Sequence, residues 1–97
     1  MQDINKIELS GTIGVVRSQK VADQTVVNFS LAVNADFGGA VETAWFNCTY
    51  WLKAGESEER FSKGARIHVE GRVHILRYIG ADGQERKSWD VKVQKVW

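Results

Sequence analysis

Trp45-Phe46-Asn47-Cys48-Thr49-Tyr50-Trp51-Leu52 is the run that decides the fold of this chain. Successive side chains of a strand point to opposite faces. Trp45, Asn47, Thr49 and Trp51 then share one face, and Phe46, Cys48, Tyr50 and Leu52 share the other. The second set can form a core, whereas the first is polar apart from its two indoles. A soluble monomer rarely leaves so much apolar, π-rich surface on a wet face without a binding partner. At ~3.3 Å per residue the two indoles stand roughly 20 Å apart. That is too far for the rings to stack on each other, and it suits two platforms beneath an extended polymer.

The same period of two extends in both directions. Upstream, Ile7, Leu9, Ile13 and Val15 alternate with polar or small residues from Lys6 to Val16, with Gly11 expected as a bend or bulge. Val27, Phe29, Leu31 and Val33 alternate likewise from Val26 to Asn34. The polar segment from Arg17 to Thr25 reads as the connection between these strands, and Ala35 to Glu42, with Gly38-Gly39, as the loop before the third. Downstream, Glu56, Glu58 and Glu59 open the segment from Ala54 to Lys63, and Gly64 stands where a helix takes a left-handed cap, which predicts a short helix. From Arg66 to Tyr78, Ile67, Val69, Val73 and Ile75 alternate with Arg66, His68, Glu70, Arg72, His74, Leu76 and Tyr78, and Gly71 marks another bend. Gly80-Ala81-Asp82-Gly83 is a turn signal. Lys87 to Val96 is a fifth strand, with Trp89, Val91 and Val93 on one face. The expectation is an all-β fold: a small, closed or partly closed five-stranded barrel with one short helix between strands 3 and 4.

With 97 residues the chain is expected to be one domain, 1–97, with one core. Thirteen Lys plus Arg nearly cancel twelve Asp plus Glu, so an anionic ligand must be held by local arrangement. Cys48 is the single cysteine, which excludes an intrachain disulfide, suits a small buried hydrophobe and fits a reducing cytoplasm. No apolar run of membrane-spanning length and no signal peptide is visible, so a soluble cytoplasmic protein without membrane attachment is expected. No Cys/His cluster, nucleophile elbow or P-loop is present, and no paired carboxylates suggest general acid–base work, so neither an enzyme nor a cofactor is expected. His68 and His74 lie roughly 20 Å apart along a strand and cannot share a metal ion.

Between Arg60 and Arg77 stand five cations, Arg60, Lys63, Arg66, Arg72 and Arg77, against the single acid Glu70. Lys53 follows Trp51 by two residues. Tyr78 shares the parity of Arg66 and Arg72, and Phe37 falls in a polar, Gly-containing loop with no core to enter. Aromatic faces interleaved with cations on a curved sheet are what single-stranded nucleic acid requires, since unpaired bases offer π-faces and the backbone offers phosphates. Stacking is worth about 1–3 kcal/mol per base, while exposed charge contacts are weaker and fall with salt. Trp89 and Trp97 are assigned to core or interface packing.

Several stretches, in this order, resemble the DNA-binding domain of bacterial and phage-type single-stranded DNA-binding proteins: Asn5-Lys6-Ile7-Glu8-Leu9-Ser10-Gly11-Thr12-Ile13-Gly14, Val27-Asn28-Phe29-Ser30-Leu31-Ala32, Glu42-Thr43-Ala44-Trp45, Lys63-Gly64-Ala65-Arg66-Ile67-His68-Val69-Glu70-Gly71 and Gly83-Gln84-Glu85-Arg86. The resemblance covers nearly the whole chain. It implies an OB-fold, commonly a homotetramer, that binds single-stranded DNA with little sequence preference in replication, recombination and repair. Its stacking aromatics fall on Phe37, Trp45, Trp51 and Tyr78, three of them differing in identity from the commonest family residue while remaining aromatic. Lys53 and Lys63 fall on basic positions, and Arg66 and Arg72 extend the basic stripe. Asn47 replaces a residue that is often basic, and Phe46 stands where the family often has a His at an oligomer contact, so a dimer is the alternative to a tetramer. The chain ends at Trp97 without the acidic tail that recruits partner enzymes, and tail-mediated replication and repair partners are therefore not expected from it. A tailless OB-fold adaptor, similar to primosomal replication protein N and acting mainly through protein partners, is the second reading. The full aromatic set favours the first.

Overall fold

The alternation becomes five strands in the computed structural model, which describes residues 2–97 apart from the Phe37 side chain. They are β1 (Ile7–Val21), β2 (Gln24–Phe37), β3 (Ala40–Trp51), β4 (Arg66–Ile79) and β5 (Glu85–Val96). β1 pairs antiparallel with β2 and β4, β2 with β3, and β4 with β5. The barrel closes in the order β1-β2-β3-β5-β4, the OB-fold arrangement expected from the sequence. Its closing seam is short: β3 and β5 run parallel and pair only through Cys48–Val91 and Thr49–Lys92.

The inward face of every strand contributes to one core, which includes Ile13, Val27, Leu31, Cys48, Val69 and Val91. Burying each large aliphatic side chain contributes roughly 1.5–3 kcal/mol, so this layer fixes the register of the sheet. Burial also pushes the Cys48 thiol up to about 12, with the nearby charge of Asp90 adding to the shift, and so holds it neutral.

Three elements depart from the sequence expectation. The short helix between strands 3 and 4 is a single 3₁₀ turn, Glu58–Arg60, with Ser57 as its N-cap and Glu58 and Glu59 in its first turn. It ends because Phe61 turns into the core, packing on Phe29 and Tyr50 with ring centroids 5.4 and 5.6 Å away. Burial of that one ring outweighs continued helical hydrogen bonding. Second, the segments taken as connections are largely strand. β1 and β2 run on to the turn at Ala22-Asp23, and β2 and β3 run on to Gly38-Gly39. Both glycines there have positive φ, 65° and 93°, the conformation a two-residue hairpin loop requires. Phe37 thus ends a strand.

The third departure is on β1. Its register shifts between Ile13 and Val16, and two residues there oppose one on β2. Val16, not Val15, continues the inward face, and Val15 is exposed. Gly11, the expected bend, lies in regular pairing with Ile67; its missing side chain instead admits the β2 backbone, since a Cβ would stand 2.2 Å from the Ala32 carbonyl oxygen. The bend expected at Gly71 does coincide with a register shift between β4 and β5.

Candidate nucleic-acid interface

Cross-strand partners share a face, so the register shows which outward side chains form each row. Trp45 pairs with Ala32, Ala32 with Thr12, and Thr12 with Arg66. Arg66 Nη1 donates to Thr12 Oγ1 at 3.2 Å. One row therefore carries Arg66 and Trp45 three strand spacings apart, about 14 Å around the barrel. A second row runs Arg17, Asn28, Thr49, Lys92 and Arg72 across all five strands. A third holds Gln19, Val26 and Trp51.

Both β3 tryptophans are exposed as their parity requires, Trp45 by 64% and Trp51 by 45%. Trp45 lies against Gly14, where an added Cβ would meet the six-membered ring at 2.8 Å. The β1 bulge thus provides the flat floor for this indole. Gly64 N–H donates to the Ile13 carbonyl at 2.8 Å, so Lys63 stands next to that bulge. Trp51 is set by the chain beyond it. Leu52 N–H donates to the Thr25 carbonyl at 2.9 Å, and the Glu56 carboxylate accepts from Lys53 N–H at 2.6 Å and from the buried Tyr50 hydroxyl at 2.7 Å. The Lys53 backbone bond, then the Tyr50 bond, hold the Glu56 carboxyl below the usual range. Lys53 and Lys20 both line the groove beside Trp51.

Between the two indoles the face is polar and tightly bonded. Thr49 Oγ1 lies 2.9 Å from Asn28 Oδ1 and 3.2 Å from Asp90 Oδ1. Val15 N–H donates to Ser30 Oγ at 2.8 Å. Partial burial raises the Asp90 carboxyl, opposed by the Thr49 hydrogen bond and the charges of Lys92 and His74. Arg17, Asn28, Ser30, Asn47 and Asp90 line one shallow groove in this region.

The remaining sequence candidates lie on the β4–β5 hairpin or outside the described set. Tyr78 is exposed by 50% on β4, paired with Arg86, whose guanidinium holds Asp82 at 2.7 Å. Arg72 lies in the second row. With the Gln94 amide oxygen turned to face it, its Nε and Nη2 are 3.0 and 2.8 Å from that oxygen. The Phe37 side chain lies outside the described residues. The structure therefore brings Trp45, Trp51, Lys53, Lys63 and Arg66 around the β1–β2–β3 face, and sets Arg72 and Tyr78 on the adjoining hairpin.

Three cations escaped the sequence analysis. Arg17 and Lys20 fall in the segment taken as a loop, and Lys92 becomes visible only through the parallel β3–β5 register. The bulge is the signal that recovers Arg17, because parity counted from Val16 places it outward. Trp89, assigned to core or interface packing, is not core: it is 63% exposed. Trp97 packs at the surface, stacked on His68 with centroids 4.1 Å apart and under Lys95 Nζ at 4.4 Å.

The chain matches the model of the single-strand binding protein family over residues 4–97. It is 34% identical over 103 residues to the single-stranded DNA-binding protein of Neisseria meningitidis serogroup A, covering 96% of this chain and 58% of that protein. The single-stranded DNA-binding protein of Xanthomonas axonopodis pv. citri is 31% identical over 101 residues, covering 96% of this chain and 56% of that one. The chain thus spans less than two thirds of the length of these relatives. A Plasmodium falciparum SSB, solved in complex with ssDNA, superposes with a TM-score of 0.81 over 95% of this chain and 88% of that chain at 21% identity, which speaks to the fold. Barrel order, aromatic face and sequence agree, and the chain belongs to the single-strand binding protein family.

Proposed function

We propose that this chain binds single-stranded DNA without strong sequence preference. Bases stack on Trp45, Trp51, Tyr78 and Phe37, and phosphates meet Lys53, Lys63, Arg66 and Arg72, with Arg17, Lys20 and Lys92 as further cations. The observation that carries this reading is the pair of exposed indoles at the two ends of one β3 face, separated by hydrogen-bonded polar side chains and not by core. Platforms held by a rigid sheet lose little freedom when a base stacks on them. They also require unpaired bases, which a duplex conceals. The relatives named single-stranded DNA-binding proteins support the ligand class.

In this reading the chain is a binding protein and not an enzyme. It acts in the cytoplasm during replication, recombination and repair, as a homo-oligomer: a tetramer, or a dimer as the alternative. Among the described residues no helix is long and apolar enough to cross a membrane. The test is a titration with oligo-dT followed by intrinsic tryptophan fluorescence. Stoichiometric quenching is expected, with much weaker binding to duplex of equal length. Duplex affinity equal to or above that for the single strand rules out the stacking mechanism.

A further inference from the structure

Glu56 is an acid standing where an anionic ligand must pass. It lines the groove beside Trp51 together with Lys20, Asp23 and Lys53. Its carboxyl, held below the usual carboxylate range by the Lys53 N–H first and the Tyr50 hydroxyl second, is ionised at neutral pH. On charge alone it opposes the phosphates that Lys20 and Lys53 attract. Its contacts assign it different work. β3 ends at Trp51, and after the 2.9 Å bond from Leu52 N–H to the Thr25 carbonyl the chain leaves the sheet. There Glu56 takes over from the ladder. Its Oε1 accepts from the Lys53 N–H at 2.6 Å and from the Tyr50 hydroxyl at 2.7 Å, and its own N–H donates back to the Lys53 carbonyl at 3.0 Å. One oxygen thus ties the residue before Trp51 to the second residue after it. Tyr50 is itself fixed, being 2% exposed and packed on Phe61 with ring centroids 5.6 Å apart.

We infer that Glu56 is a positioning residue for single-strand binding: it promotes binding through Trp51, by holding the end of β3 in the conformation that presents that indole to a base, in spite of its own charge. The inference rests on the reading of Trp51 as a stacking platform given above. A base gains more from a platform whose orientation is already set, because less freedom is lost on binding. Charge and clamp make opposite predictions. Loss of an acid from a phosphate groove strengthens binding where charge decides, and weakens it where the clamp decides.

Glu56→Ala, Glu56→Gln, Tyr50→Phe and Glu59→Gln, each in the whole chain and well below its melting temperature, are titrated with oligo-dT beside Trp51→Ala and the double variant Glu56→Ala with Trp51→Ala. Trp51→Ala is expected to bind about tenfold or more weakly, the loss of one stacked base. Glu56→Ala should lose a part of that, about three- to tenfold, although it removes a negative charge. Glu56→Gln keeps an oxygen able to accept both Oε1 bonds and should bind at least as tightly as the parent. Glu59→Gln removes an equal charge from the exposed neighbouring 3₁₀ turn and should do the same. Tyr50→Phe retains the buried ring without its hydroxyl and should fall between the parent and Glu56→Ala. In the Trp51→Ala background Glu56→Ala should add no further loss, a result that general loosening of the fold would not produce. With 5-fluorotryptophan incorporated, the Trp51 fluorine resonance, assigned by its absence from Trp51→Phe, should shift or broaden in Glu56→Ala while that of Trp45 stays in place. If Glu56→Ala binds as tightly as the parent or more so while Trp51→Ala is weakened, Glu56 acts only as a charge; the inference is overturned and the single-stranded DNA reading stands. Equal loss from Glu56→Ala with and without Trp51 also overturns it, since the effect then bypasses the platform. Should Glu56→Ala fail to fold, Tyr50→Phe alone and with Trp51→Ala carries the same comparison. If Trp51→Ala binds as the parent does, or the parent fails to bind oligo-dT, the reading beneath the inference fails and takes the inference with it.

Discussion

The barrel body and the outer half of the β4–β5 hairpin use the same alternation to opposite ends. In the body, the inward residues Ile67, Val69, Val91 and Val93 are all buried. Beyond Val73 and Val91 the same parity continues through Ile75, Ile79 and Trp89, and all three are exposed. Nothing changes in the strand itself; what changes is the layer opposite. Alternation reports which face a side chain occupies, whereas burial requires another element across from it. Past the Cys48–Val91 pair, β3 no longer supplies that element. The body therefore carries the stability, and the outer hairpin leaves the same parity exposed.

The largest expected effect lies in the body. Leu31 is fully buried, and Leu31→Ala should cost about 2–5 kcal/mol of stability in a denaturant titration. A cost below 1 kcal/mol would show that the body is not the single core described. Next comes the joint between the two regions. At Gly71 an added Cβ would stand 2.1 Å from the Lys92 carbonyl oxygen and 2.8 Å from its carbon, both main-chain atoms that cannot rotate away. Gly71→Ala should cost toward the upper end of the ~1–3 kcal/mol typical of overpacking. Parental stability in that variant would mean that the hairpin pivots freely at Gly71, and the contrast between body and hairpin would lose its hinge.

Trp51→Ala separates binding from folding within one strand. Single-strand affinity should fall by about 1–3 kcal/mol in the oligo-dT titration while the melting temperature barely moves. A large loss of stability would move Trp51 into the core set, beside Val26, its buried neighbour on the same face. The inner face of β3 makes a complementary prediction in pH. Desolvation raises both Cys48 and Tyr50 to about 12, from 9.0 and 10.0, with Asp90 adding to the first and the Glu56 hydrogen bond to the second. The unfolded chain then loses these protons before the folded chain does. Their contribution is complete below about pH 9 and is lost as the pH climbs to about 12. Native Cys48 should accordingly resist a thiol reagent at pH 9 and react once the chain is unfolded in urea. Rapid labelling of the native chain would show that the seam between β3 and β5 opens.

Most of the barrel was legible in the sequence because an inward residue on its five strands is apolar almost wherever another strand faces it. Val27, Phe29 and Leu31, or Cys48 and Tyr50, leave little choice of face. Trp45 and Trp51 were legible for the complementary reason, being large apolar groups on the polar parity. Features set by a neighbour and not by the local strand were illegible. The β1 bulge moves Arg17 outward, the β3–β5 register adds Lys92 to the row of Arg17, Asn28, Thr49 and Arg72, and the loss of β3 uncovers Trp89. The helix expected between strands 3 and 4 failed on the same ground, since the tertiary contacts of Phe61 with Phe29 and Tyr50 outweighed local propensity.

The smallest effect is the most discriminating. Ile79 is 70% exposed at the end of β4 although it keeps the inward parity of Val69 and Val73. If parity alone determined its role, Ile79→Ser would remove an apolar anchor and destabilise the chain by an amount approaching that of Leu31→Ala. If coverage by an opposite element decides, the substitution costs no more than about 0.5 kcal/mol, as at an ordinary surface position. The structure predicts the second outcome for the isolated subunit. Denaturant titration at low protein concentration measures that cost, and a repeat at high concentration shows whether it grows with association. A cost that rises with protein concentration would mean that a second copy supplies the missing layer over the hairpin. A cost above 1 kcal/mol at every concentration would mean that the hairpin is part of the core, and would remove the distinction between the two regions.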